Sequence, residues 1–301
     1  MKKKVILLLC FVFFLSCEKQ DSSDSEITEY EWTTKQFVFD HDGLSRSYIL
    51  HKPLDFVENS PLLFVLHGFG SSATTIMTYS QMNTLADENG FMVCYPQGST
   101  LDTGQTHWNA NLEMSNINDI DFLSKLAKQI QSNYKINPEN TFTSGMSNGG
   151  FMSYTLGCEK ADIFKAIASI TGTMSGKDWK NCNPSQKIPA LQISGTNDTT
   201  VPWDGTMSTA YGWGGAPHIQ KVMDFWADLS STTKTEKIDF PDIESSDKST
   251  ASLTKRTDGI NGNEVWFYTI SGGGHDWPGS WGNKDISASQ EIWKFFKKHL
   301  K

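Results

Sequence analysis

Hydrophobic positions in this chain gather into short unbroken runs separated by stretches of helical spacing. Leu62-Leu63-Phe64-Val65-Leu66 is apolar at every position, and Phe91 to Tyr95 is a second such run. Ile163 with Phe164 to Ile170, and Pro189 to Ile193, are similar. Runs of this length without polar alternation predict strands buried on both faces. Between them, Asp121 to Tyr134 places Phe122, Leu123, Leu126 and Ile130 on one helical face. Glu264 to Ile270 predicts a late strand, and Ser287 to Leu300 a closing amphipathic helix. Near the start, Thr34 to Phe39 and Ser45 to His51 flank Asp42-Gly43, the pattern of an antiparallel hairpin. Strands alternating with helices predict an α/β fold: a mostly parallel central sheet with helices on both faces and an N-terminal antiparallel hairpin.

The chain ahead of this pattern is of another kind. Lys2, Lys3 and Lys4 precede an apolar run, Val5 to Leu15, too short to span a bilayer comfortably. Phe14-Leu15-Ser16-Cys17 resembles a bacterial lipoprotein cleavage box, so residues 1–17 are expected to be a signal peptide ending at a lipidated Cys17. An ordinary secretory signal is the alternative. Acidic, serine-rich residues 18–29 predict a flexible tether, and 30–301 one domain. Cell-envelope or extracellular placement follows, with the lipid as the sole membrane contact. Loss of the three lysines takes the formal net charge from -8 to -11. Such an acidic chain, without a basic cluster, argues against nucleic-acid partners.

Export also bears on the cysteines. Cys158 and Cys182 flank one strand-like segment and are the expected disulfide pair. Cys94 lies in an apolar strand and is expected to be a buried thiol. No cysteine or histidine spacing resembles a metal-ligand set, so no metal and no cofactor is expected.

Candidate chemistry centres on Gly145-Met146-Ser147-Asn148-Gly149-Gly150. A strand-like run, Asn140 to Ser144, precedes it and a helix-compatible run, Phe151 to Leu156, follows. Strand, G-x-S-x-G, helix is the layout that presents a serine nucleophile on a sharp turn. A serine hydroxyl needs a base. Of seven histidines, His275 stands in Gly272-Gly273-Gly274-His275-Asp276-Trp277-Pro278-Gly279, a loop after the last predicted strand. Loops at the carboxyl ends of parallel strands collect site residues in such sheets. The base needs a carboxylate to hold its tautomer. Asp198 leaves the strand Pro189 to Ile193, and Asp204 and Asp276 are rivals. Two N–H donors should receive the oxyanion: that of Asn148, and that of Phe69 in His67-Gly68-Phe69-Gly70 after the strand Leu62 to Leu66. His67 is expected to pack beneath that loop.

These motifs together carry a resemblance. His67-Gly68-Phe69-Gly70, Tyr95-Pro96-Gln97-Gly98, Asp119-Ile120-Asp121, the Ser147 turn, Gly195-Thr196-Asn197-Asp198 with Val201-Pro202-Trp203-Asp204-Gly205, and Gly273-Gly274-His275-Asp276-Trp277-Pro278-Gly279 resemble the polyhydroxybutyrate depolymerase-like esterases, which include feruloyl and acetylxylan esterases. The resemblance implies an α/β-hydrolase fold and a serine esterase with Ser147, Asp198 and His275 as triad. Many relatives carry cysteine where Phe69 stands. No further module follows Lys301, so attack on solid polyester is not expected. Trp108, Trp203 and Trp277 in the surrounding loops are candidate substrate contacts, and Tyr211 and Trp213 a candidate rim. The expected substrate is an ester on carbohydrate, acyl or feruloyl, or a short hydroxyalkanoate ester, handled by a monomer. A peptidase on the same fold and a non-catalytic surface glycan-binding protein are the alternatives.

Overall fold

The computed structural model describes residues 33–301. The expected signal peptide, the lipid site Cys17 and the tether lie outside the described residues. Strands β1 (Thr34–His41) and β2 (Leu44–His51) form the antiparallel hairpin, with Thr34 opposite His51. The apolar runs become β3 (Leu62–Leu66) and β4 (Met92–Pro96), and a two-residue pair, β5 (Ser99–Thr100) and β6 (Thr106–His107), follows. Then come β7 (Thr141–Met146), β8 (Ile167–Ile170), β9 (Ala190–Gly195), β10 (Lys234–Asp239), β11 (Thr250–Thr257) and β12 (Val265–Ser271). Helices are α1 (Ala73–Ser80), α2 (Met82–Asn89), α3 (Asp119–Tyr134), α4 (Asn148–Glu159), α5 (Gly176–Asn181), α6 (Ile219–Leu229) and α7 (Ala288–Lys298).

Among the described residues ten strands make one sheet in the order β1-β2-β4-β3-β7-β8-β9-β12-β11-β10. From β4 to β12 neighbours run parallel, and both edges are antiparallel. β3 shows why its run is apolar throughout. Leu63 and Val65 pack with residues of α1, α2 and α7, while Leu62, Phe64 and Leu66 pack with α3 and α4. Successive side chains of a strand point to opposite faces, so a strand covered by helices on both sides has no polar position. Each fully buried side chain of this kind contributes roughly 1.5–3 kcal/mol before entropy is counted. On one face α7 closes the core through Phe91 stacked on Trp293 at 3.8 Å and Phe142 on Phe296 at 4.8 Å.

Two departures from the expected elements bear on the sheet. Ile163 and Phe164 donate to Lys160 O in a turn that closes α4, so β8 starts only at Ile167. The pair β10 and β11 was not among the expected strands. β10 reads Lys-Thr-Glu-Lys-Ile-Asp and is largely exposed, the charged composition that protects a sheet edge from further pairing. Cys158 and Cys182 form a disulfide that ties the end of α4 to the residue after α5, and Cys94 is a buried free thiol.

Candidate active site

Ser147 sits between β7 and α4 with φ 54° and ψ -120°, a backbone conformation sparsely populated for any residue with a side chain. Its N–H donates to Ile170 O, which holds the turn against the neighbouring strand β8. Ser72, Ser175 and Ser287 cap their helices by accepting an N–H on the side-chain oxygen. Ser147 occupies the same position before α4 and makes no such bond, so its Oγ is left for other chemistry. The turn closes because of its glycines. A Cβ on Gly149 would stand 2.2 Å from Leu66 O and 2.7 Å from His67 O. The bare backbone there lets the loop after β3 lie directly on the start of α4.

Asp198 and His275 reach the same end of the sheet. Met146, Ile170, Ile193 and Tyr268 are in register across β7, β8, β9 and β12, so the loops carrying Ser147, Asp198 and His275 leave from one level. Asn197 N–H donates to Gly273 O and joins the last two loops. That approach requires Gly195, where a Cβ would meet Gly273 O at 2.3 Å. Asp198 Oδ2 lies 2.7 Å from His275 Nδ1. A carboxylate only accepts, so Nδ1 carries the proton and Nε2 keeps a lone pair. Asp198 Oδ1 accepts from Thr200 N and Val201 N at 2.8 and 2.9 Å, and its side chain is 1% exposed. Both rivals are engaged elsewhere: Asp204 Oδ1 with Thr206, Asp276 Oδ2 with Gly274 N. Among the described residues no hydrogen bond joins Ser147 Oγ to His275, the open arrangement frequent in such pairs before substrate arrives.

The loop after β3 meets the elbow from the other side. Among the described residues neither Phe69 N–H nor Asn148 N–H donates to an acceptor, and the latter opens α4 at its positive dipole end. His67 is fully buried beneath the loop, as its position suggested. Gly98 N–H donates to His67 Nε2 at 2.9 Å, so the ring proton is on Nδ1 and is donated to Gly68 O at 2.8 Å. Burial pushes the His67 pKa down to about 4, keeping the ring neutral.

The tryptophans are placed differently from expectation. Trp108 is completely buried, its indole N–H donating to His67 O, so it does not line a cleft. Trp277 is likewise buried, with Nε1 donating to Ser289 Oγ and its ring against Tyr79. Both carry one polar atom that finds a partner inside, which is how an aromatic loop residue becomes core. Trp203 is half-buried and stacks on Phe267 at 5.2 Å. Among the described residues the exposed aromatic rings are Phe69, 39% exposed, and Tyr211, 64% exposed. Trp213 bridges Phe69 and Phe151 edge-on.

A buried ion pair escaped the sequence. Arg46 Nη2 donates to Asp119 Oδ1 at 2.7 Å, and Asp119 Oδ2 accepts Asn109 N–H. Arg46 shares a face of β2 with Tyr48 and Leu50, and a charge at an inward position of an apolar alternation is the signal that could have found it. One group with metal-ligand atoms exists among the described residues, His41, Asp42 and Asp121. Lys125 Nζ already lies 2.7 Å from Asp121 Oδ2, so the carboxylate has its cation.

Comparison with known proteins agrees with this architecture. A family model described as esterase PHB depolymerase matches residues 46–186. NocK of Nocardia uniformis subsp. tsuyamanensis, provisionally named an esterase, is 27% identical over 79% of this chain and 72% of its own length. Feruloyl esterase B of Piromyces equi is 27% identical over 76% of this chain, which spans only 42% of that enzyme. Acetyl xylan esterase from Aspergillus awamori has a similar structure, with a TM-score of 0.62 at 15% identity over 88% of this chain and 99% of its own. The chain is therefore an esterase with the α/β-hydrolase fold, similar over part of its length to polyhydroxybutyrate depolymerase-like, feruloyl and acetylxylan esterases.

Proposed function

We propose that the protein is an exported serine carboxylic-ester hydrolase, tethered by a lipid on Cys17, that cleaves acyl or feruloyl esters on plant polysaccharide or short hydroxyalkanoate esters. Ser147 Oγ attacks the ester carbonyl while His275 Nε2 takes its proton. Asp198 holds the imidazole in the required tautomer and stabilises the imidazolium. Phe69 N–H and Asn148 N–H receive the oxyanion. Collapse of the tetrahedral intermediate returns the proton to the leaving alcohol and leaves an acyl-Ser147. Water, deprotonated by His275, repeats the sequence and frees the acid. The observation that carries this reading is the 2.7 Å bond between Asp198 and His275 at the strand ends beside a positive-φ serine. The exposed rings of Phe69 and Tyr211 favour a flat substrate group, either a hydroxycinnamoyl ring or a sugar face.

Ser147→Ala tests the reading. Its hydrolysis of p-nitrophenyl acetate should vanish while the folded state remains, and turnover near that of the unmodified protein would refute the nucleophile. Comparing acid release from feruloylated arabinoxylan, acetylated xylan and hydroxybutyrate oligomers then separates the substrates.

A further inference from the structure

Trp108 touches both halves of the oxyanion site without facing it. Its indole N–H donates to His67 O at 2.9 Å. Its backbone N–H donates to Asn148 Oδ1 at 2.7 Å, and its carbonyl accepts from Asn148 Nδ2 at 3.0 Å. Trp108, His67 and Asn148 are all completely buried. The Asn148 side chain thus closes a two-bond ring with one main-chain residue, fixing the first residue of α4 relative to the segment around Trp108. The indole fixes the loop after β3 relative to that same segment.

The second donor is set through a peptide plane. Gly68 O accepts from His67 Nδ1, and the Gly68–Phe69 bond is trans, so the Phe69 N–H must point away from the buried imidazole. His67 O, one residue earlier, is the atom that Trp108 holds. Two consecutive carbonyls of the loop are therefore anchored from below, one by the His67 ring and one by the Trp108 indole.

We infer that Trp108 is a positioning residue that sets the spacing between the Phe69 and Asn148 amides, so that both reach one developing oxyanion. This rests on the assignment of those amides in the proposed mechanism. Preorganised donors act only if they need not move during the reaction, and a misplacement of ~1 Å can cost about 10²-fold in rate. The clamp differs from general packing because its loss should weaken the transition state and spare ground-state binding.

The test uses Trp108→Phe, which keeps the ring but removes the indole donor, Asn148→Ala, which keeps the main-chain amide but removes the ring of two bonds, and the double variant. Steady-state hydrolysis of p-nitrophenyl acetate is measured with active sites counted by burst titration, alongside inhibition by methylboronic acid, which forms a tetrahedral serine adduct. For each single variant kcat should fall at least about tenfold with KM within about twofold, and boronate affinity should fall in step with kcat/KM. The double variant should be little worse than the worse single variant, since both break one clamp. A kcat within twofold in both single variants, losses that multiply, or a rise in KM that accounts for the change would overturn the inference. If Trp108→Phe does not fold, the kcat and KM of Asn148→Ala decide it. Should Ser147→Ala stay active, the proposed mechanism falls and takes the clamp with it. Should Ser147→Ala be dead while both clamp variants turn over normally, only the clamp falls.

Discussion

Gly149→Ala puts the geometry of the elbow to a direct test. The new methyl would stand 2.2 Å from Leu66 O and 2.7 Å from His67 O, distances at which carbon and backbone oxygen do not coexist. Relief to ordinary contact requires the loop after β3 and the start of α4 to separate by about 1 Å, the scale at which a site loses ~10²-fold in rate. Overpacking of this kind also costs roughly 1–3 kcal/mol of stability. The measurements are kcat and KM on p-nitrophenyl acetate with urea unfolding of the same preparation. kcat should drop about a hundredfold, because the parted segments carry the Phe69 and Asn148 amides. Gly90→Ala is the control: its φ of +71° strains a side chain, yet nothing lies within 4 Å. It should lose on the order of 1 kcal/mol and keep its kcat. A Gly149→Ala enzyme with kcat within threefold of the parent would show that the contact does not set the donors.

Three further outcomes follow from the structure. Asp198→Asn, measured on the same substrate, should lose on the order of 10⁴ in kcat because the His275 tautomer is no longer enforced, and a loss under tenfold would refute that role. Burial lowers the pKa of His67 and of His299 from 6.5 to about 4, so below pH 6.5 the unfolded chain binds protons that the folded one refuses. Stability should therefore fall as pH drops from 6.5 to 4, by on the order of 3 kcal/mol per histidine, and urea midpoints that are flat across that window would contradict it. Asp119→Ala leaves the Arg46 guanidinium buried at 4% exposure without its counter-charge. It should cost about 3–5 kcal/mol in urea unfolding, and less than 1 kcal/mol would count against a tightly enclosed pair.

How far each feature could be read in advance depends on the range over which its cause acts. β3 and β4 were legible because a strand buried on both faces is apolar at every position. β10 was not, since an edge strand of alternating charge resembles a loop. α6 carries Ile219, Val222, Met223, Trp226 and Ala227 at helical spacing and so was legible in principle, though not among the expected elements. At the site, Asp198 could be separated from Asp204 and Asp276 because it directly follows a buried strand, and it is Asp198 that bonds His275. Trp108 and Trp277 were misjudged for the converse reason: a loop has no period, so nothing local tells a ring that faces solvent from one that faces the core.

The sequence by itself therefore determined the layers of the fold, the turn that exposes Ser147, and the order of the residues around it. Those features are local, carried by apolar runs, glycine spacing and strand-to-loop transitions within a few residues. Tertiary structure alone decided which long-range partners meet. Arg46 finds Asp119, Trp108 bridges His67 and Asn148, and Asn197 joins the Gly273 loop across distances in sequence that no pattern encodes. Buried polar groups must pair wherever the packed chain places a partner, and that placement exists only once the sheet has closed.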